Sequence, residues 1–328
     1  MGEPFCRLVR FERMLEKPRS DPKVLLVAPL SGHFATLVRD TVETLLSEHD
    51  VYVTDWQDAR EVPLAEGVFG FEDYVDVLIR ALRHMGPGVS MLAICQPAPA
   101  AVVAASMLAE AKDPATPRHV ILMGGPVDTR KGPTEVTRLA KTHSLATFDA
   151  AAIHHVPPMH PGAGRRVYPG LLQLSGFMSL NPDRHLKAHL DFLWAHAKGD
   201  DRFAAAHRRF YEEYLAVMDL DGQFYLDTVR IVFQQHALVT GRLTHHGQSV
   251  VPGALTQTGL MTIEGGRDDI TGAGQCHAAH ALCARLPDRL HLELTEETVG
   301  HYGLFSGRKW RERIYPAIRD FIRTANPR

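Results

Sequence analysis

Val89-Ser90-Met91-Leu92-Ala93-Ile94-Cys95-Gln96-Pro97-Ala98 decides the fold. Val89–Ile94 is a short apolar run of strand length, the pattern of a strand buried on both faces of a parallel sheet. An alanine-rich helix is expected over Ala98–Ala111, which leaves Cys95 on the turn between them. A side chain on a tight strand-to-helix turn is lifted clear of the sheet. The helix N-terminus also aims its positive dipole end at that side chain, which favours a thiolate over a thiol. Glycines usually stand two residues to either side of such an elbow, whereas here the positions hold Ala93 and Pro97. Proline is tolerated because the first turn of a helix does not need its N–H. Taken alone, the stretch also fits a core cysteine, since a free thiol packs as a small hydrophobe.

The same alternation extends outward. Upstream, Lys23–Ala28 reads as a buried strand running into the loop Pro29-Leu30-Ser31-Gly32-His33. Thr36–Ser47 reads as an amphipathic helix, Val51–Thr54 as a strand, and Phe71–Arg83 as a helix with Tyr74, Val75, Leu78, Ile79 and Leu82 on its apolar side. Downstream, His119–Met123 is a strand closing on Gly124-Gly125-Pro126. Near the far end, strands at Gly259–Glu264 and Leu290–Leu294 enclose a helix at Gly274–Arg285, and a last helix covers Arg308–Thr324. Strand–helix alternation means a mostly parallel sheet flanked by helices.

Between Thr129 and Ala254 the rhythm is lost. Prolines and glycines cluster at Val156–Gly170, and long helical stretches are expected near Asp183–Ala197, Arg202–Met218 and Leu226–Leu238. The expected organisation is an α/β core made of residues 1–128 and 255–328, with a mainly helical lid over 129–254. An insertion at the carboxyl end of a parallel sheet covers the place where such sheets bind ligands.

Composition narrows the function. The 328 residues carry 36 basic and 38 acidic side chains, so no basic bias points to nucleic acid. No apolar run approaches the roughly 20 residues needed to span a bilayer, and the charged N-terminus lacks a signal-peptide core. A cytoplasmic protein is the default expectation. The four cysteines, Cys6, Cys95, Cys276 and Cys283, show neither disulfide nor zinc spacing. The pairs His154-His155 and His245-His246 lack the helical spacing of metal ligands and read as loop or surface residues. No metal and no cofactor is expected.

Chain order strengthens the case for Cys95. In α/β-hydrolases a nucleophile, an acid and a histidine follow one another, each beyond a strand end. The strand ending in Glu264-Gly265 leads to Gly266-Arg267-Asp268-Asp269, and Val299-Gly300-His301-Tyr302-Gly303 precedes the final helix. Asp268 is favoured over its neighbour Asp269 by its offset from Gly265. The loop after the first strand supplies one oxyanion-binding N–H in this fold, and the residue after the nucleophile the other. That points to Leu30 or Ser31 together with Gln96.

Four segments together carry a resemblance: Pro29–Thr36, Ile94–Pro97, Glu264-Gly265 with Asp268-Asp269-Ile270, and Gly300–Gly303. They resemble the intracellular polyhydroxyalkanoate (polyhydroxybutyrate) depolymerases. The stretch Phe224–Val229, with Val232-Phe233 and His236, is also similar to that family and to the related polyester synthases. The resemblance runs from about Pro4 to the C-terminus. It implies an α/β-hydrolase that mobilises a storage polyester inside cells, with Cys95 as nucleophile, Asp268 as orienting acid and His301 as base. The implied partners are polyhydroxybutyrate or a related polyhydroxyalkanoate, as polymer or oligomers, and the granule surface; a homo-oligomer is open. Family members usually carry a longer region ahead of the stretch seen here at Pro4–Cys6, which bears on granule attachment more than on chemistry.

Substrate contacts are expected from His33, Trp194, Tyr225, Phe233 and Tyr302, although Ser31-Gly32-His33 reads equally as a plain turn. Other lid aromatics, among them Phe177, Phe192, Tyr211, Tyr214 and Phe224, fit either a groove for an apolar polyester or lid packing. Two further readings use the same residues. A synthase-like acyltransferase would use hydroxyacyl-CoA, but synthases keep a glycine-flanked cysteine. A non-catalytic granule-binding protein would not need three triad residue types in order.

Overall fold

Eight strands form one sheet: Gly2–Glu3 (β1), Cys6–Arg10 (β2), Lys23–Val27 (β3), Asp50–Trp56 (β4), Ser90–Ile94 (β5), His119–Met123 (β6), Gly259–Gly265 (β7) and His291–Glu296 (β8). Their spatial order is β1-β2-β4-β3-β5-β6-β7-β8. From β4 to β8 every pairing is parallel, and β1 and β2 add an antiparallel edge. The computed structural model describes residues 1–17, 19–180, 190–196 and 198–324. Every residue of β5, β6 and β7 is buried, as expected of central strands covered on both faces.

The strand order reverses between β4 and β5. Right-handed crossovers therefore place Arg39–Leu45 (α1) on one face, and Phe71–Met85 (α2) and Ala98–Glu110 (α3) on the other. The contacts agree with this. α2 packs on α3. α1 is tied instead to the C-terminal segment, where Thr41 Oγ1 donates to Phe305 O at 2.6 Å and Trp310 Nε1 donates to Thr44 Oγ1 at 3.0 Å. The β1–β2 edge was not legible in the sequence. β2 carries Arg7 and Arg10 and lacks a turn signal that would mark a hairpin.

Two helical expectations shift. The helix expected over Gly274–Arg285 contracts to Ala279–Leu282, and ahead of it Glu264 accepts the main-chain N–H groups of Gly274, Cys276 and His277 at 2.7, 2.8 and 3.0 Å. The last helix runs from Gly307 but widens into a π turn over Trp310–Ile314 before Tyr315–Thr324. Pro316 cannot donate to the preceding turn, which accounts for the widening.

Between β6 and β7 the chain forms helices at Glu135–Thr142, Leu145–Ala152, Gly170–Leu180, Asp201–Leu215 and Gly222–Thr228, the last continuing as a π turn over Val229–Gln234. Thr129 Oγ1 donates to Val232 O within that turn at 3.1 Å. Of the helix expected near Asp183–Ala197, residues 190–196 are helical, and 181–189 and 197 lie outside the described residues. A small sheet of His154–His155, Arg166–Tyr168 and Leu220–Asp221 also belongs to the insertion.

Buried side chains help anchor this insertion to the core. Phe224 stacks on Tyr74, which stacks on Trp56, with ring centroids 5.1 and 4.3 Å apart. Arg165 and Asp221 form a buried ion pair at 2.9 Å, and the guanidinium also donates to the carbonyls of Val62, Pro63 and Gly67. Among the described residues, no helix is long and apolar enough to cross a membrane.

Candidate active site

Cys95 leaves the end of β5 with φ 67°, a left-handed conformation that is uncommon for a residue with a Cβ. The strain is held from both sides. Its N–H donates to Met123 O at 2.7 Å, and its carbonyl accepts the Ala98 N–H at 3.1 Å as α3 begins. Room for the turn comes from the end of β6. A Cβ on Gly125 would lie 2.1 Å from Ala98 Cβ and 3.2 Å from Cys95 O. Gly124, at φ 56°, lies where a Cβ would come within 3.2 Å of His301 Cε1 and 3.4 Å of Asp268 Oδ2.

Beyond β7 the chain turns at Gly265, whose carbonyl accepts the Asp268 N–H at 3.1 Å. Asp268 Oδ1 then accepts the N–H groups of Ile270 and Thr271, each at 2.9 Å. These bonds fix the carboxylate so that Oδ2 accepts from His301 Nδ1 at 2.7 Å. His301 opens the turn His301–Leu304 that follows β8. Both side chains are buried, with 4% and 2% of their surface exposed. Cys95 is close enough to His301 for its charge to act on the imidazole. Burial alone would push the imidazole down. The charges of Cys95 and Asp268, with the hydrogen bond to Asp268, instead hold it well above the usual histidine value. The structure thus joins Cys95, His301 and Asp268, while the contact to His301 is made by Asp268 rather than Asp269.

Cys95 opens on an apolar cavity of about 310 Å³. Leu30, Ser31 and Gln96 line it from the sheet, and Leu139, Phe148, Tyr168, Tyr225, Val229 and Phe233 line it from the insertion. Its volume and lining suit a small apolar ligand or one segment of a longer one. Gln96 and the 30–31 loop are brought together, since Gln96 Oε1 accepts the Leu30 N–H at 3.4 Å.

The other expected contacts divide. Tyr225 and Phe233 line the cavity. His33 does not; it is 2% exposed and packs on Tyr214 with ring centroids 5.3 Å apart. A bridge to Val217 holds His33 against the insertion, and burial lowers its pKa to about 4. Tyr302 lies between His301 and Tyr214, at centroid distances of 5.8 and 5.7 Å. Trp194 is 66% exposed and does not line the cavity. Tyr211 and Tyr214 pack with Leu174 in a small core of the insertion, and the Phe177 side chain lies outside the described residues. Leu139, Phe148 and Tyr168 were not anticipated. Leu139 and Phe148 sit on short helices capped by Thr134 and Ser144, residue types that favour that position and are the signal by which these helices could be found.

The family model described as PHB de-polymerase C-terminus matches residues 124–326. No curated protein matches the chain. A monoacylglycerol lipase from Paleococcus ferrophilus superposes with a TM-score of 0.53 at 14% identity, covering 98% of this chain and 99% of that one. DcsB, solved in complex with its substrate analogue, gives 0.54 at 11% identity over 97% and 98% of the two chains. These likenesses show the fold, that of the α/β-hydrolases.

Proposed function

The chain belongs to the PHB de-polymerase C-terminus family, an esterase-type hydrolase on the α/β-hydrolase fold, and from that premise we propose that it hydrolyses polyhydroxybutyrate or a related short-chain polyhydroxyalkanoate inside the cell, at the storage granule, through Cys95. The observation that carries the reading is the Cys95–His301–Asp268 chain of contacts, opening on an apolar cavity.

In the proposed reaction, His301 holds the Cys95 proton and the thiolate attacks a polymer ester carbonyl. The N–H groups of Gln96 and of Leu30 or Ser31 receive the oxyanion, each such donor contributing about 2.7–4 kcal/mol. His301 passes the proton to the departing alkoxide, leaving a hydroxyacyl thioester on Cys95. Water then gives a proton to His301 and attacks the thioester, releasing the acid and restoring the thiol. Asp268 keeps the imidazole in the tautomer these steps require. The insertion over 129–254 serves as the lid, and its apolar lining accepts the acyl segment next to the scissile ester.

The test is acid release from amorphous polyhydroxybutyrate granules by purified wild-type protein beside Cys95→Ala. Wild type is expected to release 3-hydroxybutyrate or short oligomers, and the variant none. Equal activity of both would remove Cys95 from the chemistry. Inactivity of both would remove this polymer as substrate and direct the assay to hydroxyacyl-CoA.

A further inference from the structure

A second cluster gathers side chains that are far apart in sequence, and none of them lines the Cys95 cavity. α2 carries Glu72 and Asp76 one turn apart, and the hairpin Thr244–His245 with Gln248–Ser249 carries His245 and His246. His245 Nε2 lies 3.0 Å from Asp76 Oδ1, and His246 Nε2 lies 2.7 Å from Asp76 Oδ2. Glu72 Oε1 accepts the His246 N–H at 2.8 Å, and Glu72 Oε2 is 3.6 Å from His246 Nδ1. One ligand atom from each of Asp76, His245 and His246 lies within 4.8 Å of the others.

Two further observations set this cluster apart from an ordinary surface ion pair. The hairpin loop His246-Gly247 has φ 47° and 78°, both positive. That two-residue loop favours asparagine before glycine, so histidine holds a place another residue would fill with less strain. His245 is 5% exposed, so a buried imidazole presents its Nε2 to Asp76.

We propose that Asp76, His245 and His246, with a solvent oxygen completing the shell, bind a first-row divalent cation, zinc by the chemistry of the donors. Two imidazoles with a carboxylate suit zinc, whereas magnesium and calcium prefer oxygen alone. Donors around a tetrahedral ion bound at about 2.0–2.1 Å stand about 3.3 Å apart. The contacts of 2.7 and 3.0 Å to Asp76 would open by about 0.6 and 0.3 Å, while ligand atoms now within 4.8 Å of one another draw in around the ion. Entry is from solvent, where the side chains of His246 and Asp76 are 57% and 26% exposed. The ion would staple α2 to the hairpin through which the insertion returns to the sheet. The site stands independently of the ester chemistry.

The test uses untagged full-length protein stripped with chelator and titrated at neutral pH with zinc chloride, followed by calorimetry, by metal content after desalting and by thermal unfolding. Cobalt(II) gives a visible spectrum that reports the donor geometry. Wild type is expected to take up one ion per chain and to melt at a higher temperature with it. His246→Asn suits the loop's backbone and removes a donor, so it should fold, lose at least ten-fold in affinity and show no zinc-dependent rise in melting temperature, with ester hydrolysis unchanged. Asp76→Ala should behave likewise. Stoichiometric binding absent from wild type, or retained undiminished in His246→Asn, would overturn the proposal.

Discussion

Gln96 Oε1 accepts the Leu30 N–H at 3.4 Å, so the side chain next to Cys95 holds one of the main-chain donors expected to receive an oxyanion. The bond is at the long end of the range and is weak. A substrate oxygen can displace it, and Gln96→Ala leaves both main-chain donors in place. That variant should keep kcat within about ten-fold of wild type on a soluble hydroxybutyrate ester. A loss of about 100-fold or more, the effect of deleting a true oxyanion donor, would place the amide itself in the hole.

Asp268 and Asp269 are adjacent, but the hydrogen bond to His301 runs to Asp268. Asp268→Asn should lower kcat by about ten-thousand-fold, the scale seen when a triad histidine loses its orienting carboxylate. Asp269→Asn should change it by only a few-fold. Steady-state kinetics of the two variants, with circular dichroism to confirm folding, decide between them.

His33 titrates at about 4 in the folded chain because burial disfavours its charged form. The unfolded chain binds that proton at the ordinary histidine value near 6.5. Stability is therefore fully present above about pH 6.5 and is lost as the pH falls toward 4, by about 3 kcal/mol from this residue. His33→Gln should flatten the slope of urea-unfolding free energy between pH 6.5 and 4.5. An unchanged slope would mean His33 does not report on acid unfolding.

Arg165 lies buried against Asp221 with carbonyl acceptors around its guanidinium. Arg165→Ala leaves the Asp221 carboxyl buried without its cation, which should destabilise the protein by about 3–5 kcal/mol. Arg165→Ala with Asp221→Asn should recover part of that loss, since the stranded charge is gone. Chemical denaturation of both variants measures the difference; equal losses would mean that the ion pair's charge is unimportant.

The central sheet was legible because β3 and β5 to β7 carry apolar runs broken by turn residues, and β6 has the ends its sequence indicates, His119 and Met123. Cys95 and the Asp268-Asp269 pair were legible as candidates because each follows such a strand, and His301 because it stands between glycines ahead of the last helix. The insertion was legible as a break in rhythm and in its longer helices, expected at Arg202–Met218 and Leu226–Leu238 and found at Asp201–Leu215 and at Gly222–Thr228 with Val229–Gln234. Its short helices at Glu135–Thr142 and Leu145–Ala152 gain their place from packing against the rest of the chain rather than from an extended periodic pattern. His33 and Trp194 show the same limit from the other side. A residue type announces what it can do, but whether it faces the cavity depends on contacts with segments far along the chain, as with His33 and Val217. That His245 and His246 meet Asp76 was not legible, because Asp76 lies on a helix distant in sequence.

The glycines missing beside Cys95 have a counterpart in Gly125, where a methyl group would collide with Ala98. The steric allowance for the turn is thus shared between two segments separated by a whole helix. One segment can trade its glycines for Ala93 and Pro97 as long as the other keeps its own. Drift at either place is consequently coupled to the other, and a chain that acquired alanine at 125 would have to change the first turn of α3 to keep its thiol where it is.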